Sequence, residues 1–156
     1  MERLNQGLYF EDFTVGRRFR SIGRTLTEAD LCAFVNLTRM TEGMFTDHTS
    51  EEFKLLGGQA VPGALCYTFA EGLCIVPTLE YTGIAFLNME LDMKSPTYVG
   101  DTIRVEMEVI EARLARNKPG RGLVRTRNNV VKQDGTVSLV YTPLRLVQCR
   151  AAAHPH

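Results

Sequence analysis

Three titratable side chains sit close together in an aperiodic stretch: Glu42, Asp47 and His48, within RMTEGMFTDHT at residues 39–49. An unperturbed imidazole changes charge near neutral pH, so His48 is the most attractive general base of the three. Glu42 or Asp47 offers a carboxylate that activates water. Gly43 marks a turn, and irregular surface stretches of this kind often carry function. Each residue also has a plain structural reading. Asp47 and His48 immediately precede Ser50, which can cap a short helix over Glu51–Leu56 that Gly57-Gly58 stops. Adjacent residues of an extended segment point apart, so Asp47 and His48 need not form a dyad. Glu42 reads equally well as a solvated loop residue.

A second chemical feature is a helix start. Residues 60–76 read AVPGALCYTFAEGLCIV. Pro62 suits a first helical turn, where its fixed φ fits and its missing N–H would have no partner. The N–H groups at Gly63 are then free, and the helix dipole favours negative charge developing there. The plain reading is a helix start with no chemistry. The helix over 64–76 is apolar on nearly every side, with only Thr68 and Glu71 as a polar edge, so other elements must wrap it. It is too short and interrupted to span a membrane. Cys66, Tyr67 and Cys74 on this helix read as core packing.

The elements that position these features follow from periodicity. A strand is expected over residues 18–26. Thr27 caps a first helix that carries Leu31, Phe34, Val35 and Leu37 and ends near Thr38. After Gly83 the period becomes two. Leu87, Met89, Leu91 and Met93 alternate with polar residues in a half-buried strand. Ser95-Pro96 interrupts it and Gly100-Asp101 turns the chain. A second strand runs from Ile103 towards Arg116, and residues 117–120 form a loop. A third covers 123–133, Asp134-Gly135 signals a hairpin, and a fourth covers 136–146 with Pro143 at an edge or bulge. A sheet with one apolar face and a helix that needs a wrapper make an α+β domain, with the curved sheet around the central helix.

The totals are those of one soluble domain. The chain has 156 residues, 44% hydrophobic and 23% charged, with a formal net charge of zero. Charge therefore suggests neither a nucleic-acid nor a membrane partner. Residues 1–150 read as a single domain and 151–156 as a flexible tail. Cys32, Cys66, Cys74 and Cys149 show no C-x-x-C pair, and no metal-ligand spacing is present, so they read as reduced thiols of a cytoplasmic protein. Arg113, Arg116, Lys118, Arg121, Arg125 and Arg127 surround one hairpin. They suit phosphate contact, or simply the wet face of a sheet.

Taken in order, several pieces resemble the MaoC-like dehydratase family across roughly residues 8–148. They are Tyr9-Phe10-Glu11-Asp12-Phe13 with Val15-Gly16, and Gly23-Arg24-Thr25 leading into Thr27-Glu28-Ala29-Asp30. Val61-Pro62-Gly63 opens the central helix. Ser95-Pro96-x-Tyr98-x-Gly100-Asp101, Arg125-Thr126-Arg127 and Gln133-Asp134-Gly135 follow. The resemblance implies the hotdog fold and a homo-oligomer with sites at subunit interfaces. It also implies an acyl thioester, on coenzyme A or a carrier protein, as substrate, with no separate cofactor and no metal. The implied reaction is reversible addition of water to a 2-enoyl thioester. In the family an Asp and a His of the loop G-D-x-N-P-hydrophobic-H-x-D hold and deprotonate the water. A backbone N–H at the helix start meets the thioester carbonyl.

This chain departs from that pattern where the chemistry lies. Aligned without gaps, Met40 falls on the family's Asp and Phe45 on its His, and neither moves a proton. Pro62 stands where the family commonly has His before the Gly. Three functions remain open. The first is a hydratase or dehydratase with substituted groups drawn from His48, Asp47 and Glu42. The second is a hotdog thioesterase using Glu42 or Asp47. The third is a non-catalytic binding or assembly subunit. The resemblance implies substrate contacts at Met40, Phe45, Pro62, Gly63 and Ala64. Met40 and Phe45 then supply an apolar mouth for an acyl chain, or simply pack locally.

Overall fold

The computed structural model describes residues 4 and 6–153. A 3-10 turn at Phe10–Asp12 precedes two short strands, β1 (Arg18–Arg20) and β2 (Arg24–Thr25). The single strand expected over 18–26 is thus broken at Ser21. Its N–H donates to Val105 O at 2.9 Å, and its Oγ accepts from Val105 N–H at 2.8 Å. A side chain replaces a main-chain acceptor there, and the chain turns away. Leu26 then drops into the core with no exposed surface.

Helix α1 (Glu28–Thr38) begins as expected. Thr27 Oγ1 accepts from Asp30 N–H at 3.2 Å, and Asp30 Oδ2 accepts from Thr27 N–H at 2.9 Å, a capping box. The stretch after it is not wholly irregular. Gly43–Thr46 closes one helical turn, α2, and Ser50 caps α3 (Glu51–Leu56), which ends on Gly57 at φ 72°.

The central helix α4 spans Gly63–Leu79 with Pro62 as its N-cap, and it passes through Pro77 to a later end than the apolar run suggested. Thr78 Oγ1 donates back to Cys74 O at 2.6 Å inside that last turn.

The strand expected over 87–94 is two pieces, β3 (Gly83–Asn88) and β4 (Leu91–Met93). Two long strands follow, β5 (Thr102–Leu114) and β6 (Arg121–Lys132). Then come β7 (Val137–Tyr141) and β8 (Leu144–Gln148), and the chain closes with a 3-10 turn at Arg150–Ala153. The tail expected at 151–156 is therefore regular in its first half, and 154–156 lie outside the described residues.

The eight strands among the described residues form one antiparallel sheet. β5 pairs with β1, β2 and β6, while β6 pairs with β7 in one half and β8 in the other. β4 pairs with β7 and β3 with β8. The breaks at Met89-Glu90 and Thr142-Pro143 lie side by side, where Thr142 N–H donates to Glu90 O at 2.9 Å. Two neighbouring strands bend there together. Pro143 marks that bend in an interior strand, not an edge, because it has no N–H to give to a ladder.

The bend lets the sheet curl round α4. Ile103, Val105, Met107, Val130, Leu139 and Tyr141 face Leu65, Cys66, Ala70 and Cys74 of the helix, and all are buried. β5 alternates strictly between buried and half-exposed residues over its first nine positions. β3 does not, since every residue in it is exposed. It is an edge strand, so among the described residues its apolar side chains lack a cover. Among the described residues, no helix is long and apolar enough to cross a membrane.

Candidate functional site

The start of α4 is held by the loops on either side. Val61 N–H donates to Thr97 O at 2.9 Å and Val99 N–H to Gln59 O at 2.9 Å, a small bridge that presents Pro62 at the helix mouth. Leu65 and Cys66 N–H both return to Pro62 O, at 2.9 and 3.2 Å. Gly63 and Ala64 occupy the first two positions, where the helix offers no acceptor. Their N–H groups carry the positive end of a 17-residue dipole.

The side chain of Met93 lies on Gly63. A Cβ added there would come within 2.4 Å of Met93 Cε. Beside them is a pocket of about 340 Å³ lined by Gly63, Cys66, Met93, Lys94, Thr97 and Ser138 among others. Its buried wall is a ring of three small polar groups. Thr97 Oγ1 and Ser138 Oγ share a short hydrogen bond. Cys66 Sγ stands 3.5 Å from Ser138 Oγ and 3.6 Å from Thr97 Oγ1. Burial pushes the Cys66 thiol above its ordinary range, against the pull of its two hydroxyl partners. It is therefore a neutral packing group, not a nucleophile.

The loop candidates lie elsewhere. Glu42 is exposed and caps the α2 turn with its backbone, whose carbonyl accepts from Thr46 Oγ1 at 3.1 Å. Asp47 is exposed and accepts from Thr49 N–H at 2.8 Å and Thr49 Oγ1 at 2.6 Å. Those two bonds hold its carboxyl below the usual carboxylate range. His48 is exposed, and its ring stacks on Phe53 with centroids 4.8 Å apart. No hydrogen bond joins it to Asp47. None of the three lines the pocket beside Gly63. Met40 is half-buried, and Phe45 packs against the main core. Arg39, at the end of α1, sits in the left-handed region at φ 64°, a conformation that favours glycine. Pro62 is buried, Gly63 half-buried and Ala64 exposed.

The arginine cluster is partly committed. Arg113 Nε donates to Glu111 Oε1 at 2.8 Å. Arg125 Nη1 donates to Asn88 Oδ1 at 3.1 Å and to Thr142 O at 3.0 Å. Both behave as members of a wet sheet face.

The pattern of residue types did not single out an ion pair beneath the helix. Glu71 and Arg145 have side chains only 12% and 10% exposed. One guanidinium nitrogen, Nη2, donates to both Glu71 oxygens at 2.6 Å. The expected polar edge at Glu71 thus turns inward. The signal was present, since Glu71 is the one charged residue in an apolar helix and needed a partner. Its partner is 74 residues away in sequence and could not be named from local pattern. Asn128, with no exposed surface and both amide atoms unpaired, stands opposite Tyr141 in the same interior.

No family model and no curated protein matches this chain. Solved structures do. A MaoC-like dehydratase from Rhodospirillum rubrum is 27% identical, with 92% of this chain and 99% of that one covered and a TM-score of 0.82. The R-hydratase of Pseudomonas aeruginosa is 20% identical, covering 92% of this chain and 88% of that one, TM-score 0.74. A conserved Mycobacterium tuberculosis protein with a double hotdog fold is 21% identical, with a TM-score of 0.80. It matches 99% of this chain over 48% of its own length. The chain is a hotdog-fold protein, built like MaoC-like dehydratases and R-hydratases.

Proposed function

We propose that this protein binds an acyl thioester, on coenzyme A or a carrier protein, and belongs by descent to the hydratase/dehydratase lineage. One observation carries the reading. The free N–H groups at Gly63 open the wrapped helix beside a pocket of about 340 Å³. A thioester carbonyl oxygen placed there accepts from the Gly63 N–H. Charge that develops on it as an enolate forms is stabilised by that donor and the helix dipole. Met93 must swing aside to admit it, which an exposed thioether on a flexible stem does readily.

Water addition also needs a proton acceptor. Met40 and Phe45 supply none. His48 is the remaining candidate, and it acts only if its loop folds over the bound thioester. The exposure of Glu42, Asp47 and His48 favours a second reading, in which the protein holds the thioester without turnover. The thioesterase alternative would need Glu42 or Asp47 to reach the same carbonyl. The exposed apolar face of β3 suits a second copy of this chain, so we propose a homo-oligomer.

A panel of 2-enoyl-coenzyme A esters separates the readings. Loss of enoyl absorbance without thiol release identifies hydration, and a His48→Ala variant should then lose at least tenfold in rate. Thiol release identifies hydrolysis. Saturable binding with neither signal establishes the binding role, and absence of binding refutes the proposal.

A further inference from the structure

A second pocket, of about 240 Å³, lies against the later half of α4. Ile75, Leu79, Ile84 and Phe86 form apolar walls, and Glu71 and Arg145 form its polar end. Arg145 is only 8% exposed, yet Glu71 occupies just one of its three nitrogens. Among the described residues, none accepts a hydrogen bond from Arg145 Nε or Nη1. The Phe86 ring lies 5.8 Å from the guanidinium carbon and closes one side. Neither nitrogen is among the buried atoms left without a partner, so the donors that Glu71 leaves open meet water in a cavity otherwise lined by hydrocarbon.

We infer that this pocket takes the far end of an aliphatic acyl group bearing an oxygen acceptor, and that the acceptor is uncharged. The inference rests on the thioester reading above and names the substrate class. Glu71 is eight residues beyond Gly63, about 12 Å along the helix at 1.5 Å per residue. An extended chain of about ten bonds covers that span. The charge count selects the neutral acceptor. Glu71 already balances Arg145, so a ligand carboxylate would bury an uncompensated charge. A hydroxyl or carbonyl oxygen satisfies the free N–H groups without that cost. A plain alkyl end leaves those donors unpaired.

The test compares octanoyl-coenzyme A with its ω-hydroxy and ω-carboxy counterparts by calorimetry. The ω-hydroxy ester should bind the wild-type protein about tenfold more tightly than the plain ester. Arg145→Lys keeps the ion pair but not the fork, and the paired change Glu71→Gln with Arg145→Met avoids stranding a buried charge. Both variants should erase the preference, with folding checked by thermal melting. Equal binding of the first two esters, or tightest binding of the ω-carboxy ester, overturns the inference. If no coenzyme A ester binds, free 1-hexanol is the probe, read by the methyl resonances of Ile75 and Ile84. Shifts in the wild type that vanish in Arg145→Lys would keep the pocket while the thioester reading falls. No shift overturns the pocket as well.

Discussion

Cys66 and Cys74 face the sheet from the central helix, and each stands beside a hydroxyl rather than a base. Burial pushes Cys74 up to about 12, Cys66 rises for the same reason, and burial also raises Cys149. Cys32 alone is exposed. Because the thiolate is the reactive species, an alkylating reagent at neutral pH should add once to the native protein, at Cys32. Mass spectrometry should show four adducts only after denaturation. Rapid addition of two or more to native protein would mean that the helix thiols are not sealed as described. Side-chain chemistry read from residue type succeeded for these cysteines, since small thiols in an apolar run are packing groups. It was weaker for His48, Asp47 and Glu42. Their spacing is equally good for a cap and for a site, and Thr49 and Phe53 make the contacts that a substrate would otherwise compete for.

At the scale of elements, the sheet is shaped by places where ladder bonding fails or crowds. Ser21 replaces a main-chain acceptor, Pro143 removes a donor, and Gly122 makes room. A Cβ at Gly122 would come within 2.0 Å of the Phe10 ring, which lies over β6. Gly122→Ala should therefore cost about 1–3 kcal/mol in chemical denaturation, through displacement of the Phe10–Asp12 turn. A cost below about 0.5 kcal/mol would show that the turn yields freely. Gly63→Ala is a contrasting case, because its neighbour is the tip of Met93, which can move. The helix starts at Thr27 and Ser50 were legible because each side chain accepts from an N–H three positions on, and the start at Pro62 because its ring fixes φ and leaves no N–H to pair. The splits in strands 18–26 and 87–94 were not. Each is set by a partner strand far away in sequence.

For the whole molecule, the exposed face matters most. Ile75, Val76, Tyr81, Ile84, Phe86, Leu87 and Met93 are all more than two-fifths exposed, and most lie on or beside the β3–β4 edge. Scattered apolar residues need no explanation, but a cluster next to an unpaired strand edge does. Sedimentation should give twice 17.5 kDa or a higher multiple. Ile84→Lys, a charge on that edge, should shift the population towards monomer. A wild-type monomer at micromolar concentration would remove the homo-oligomer proposal. A second copy on this face would also dry the Arg145 pocket and strengthen its free donors.

Local chemistry decided much of this protein from sequence alone. The helix caps, the apolar central helix, the period-two strands and the Asp134-Gly135 hairpin each depend on residues a few positions apart. That neither Met40 nor Phe45 can move a proton was equally readable, because it concerns residue identity. Tertiary structure decided what depends on distant partners. It joined Glu71 to Arg145, tied Asp47 to Thr49 instead of the Gly63 pocket, and placed β3 at an edge with its residues exposed. The physical reason is one of range. Capping and periodicity act within a turn or a strand. Burial of a charge or exposure of an apolar face depends on which surfaces the closed sheet brings together.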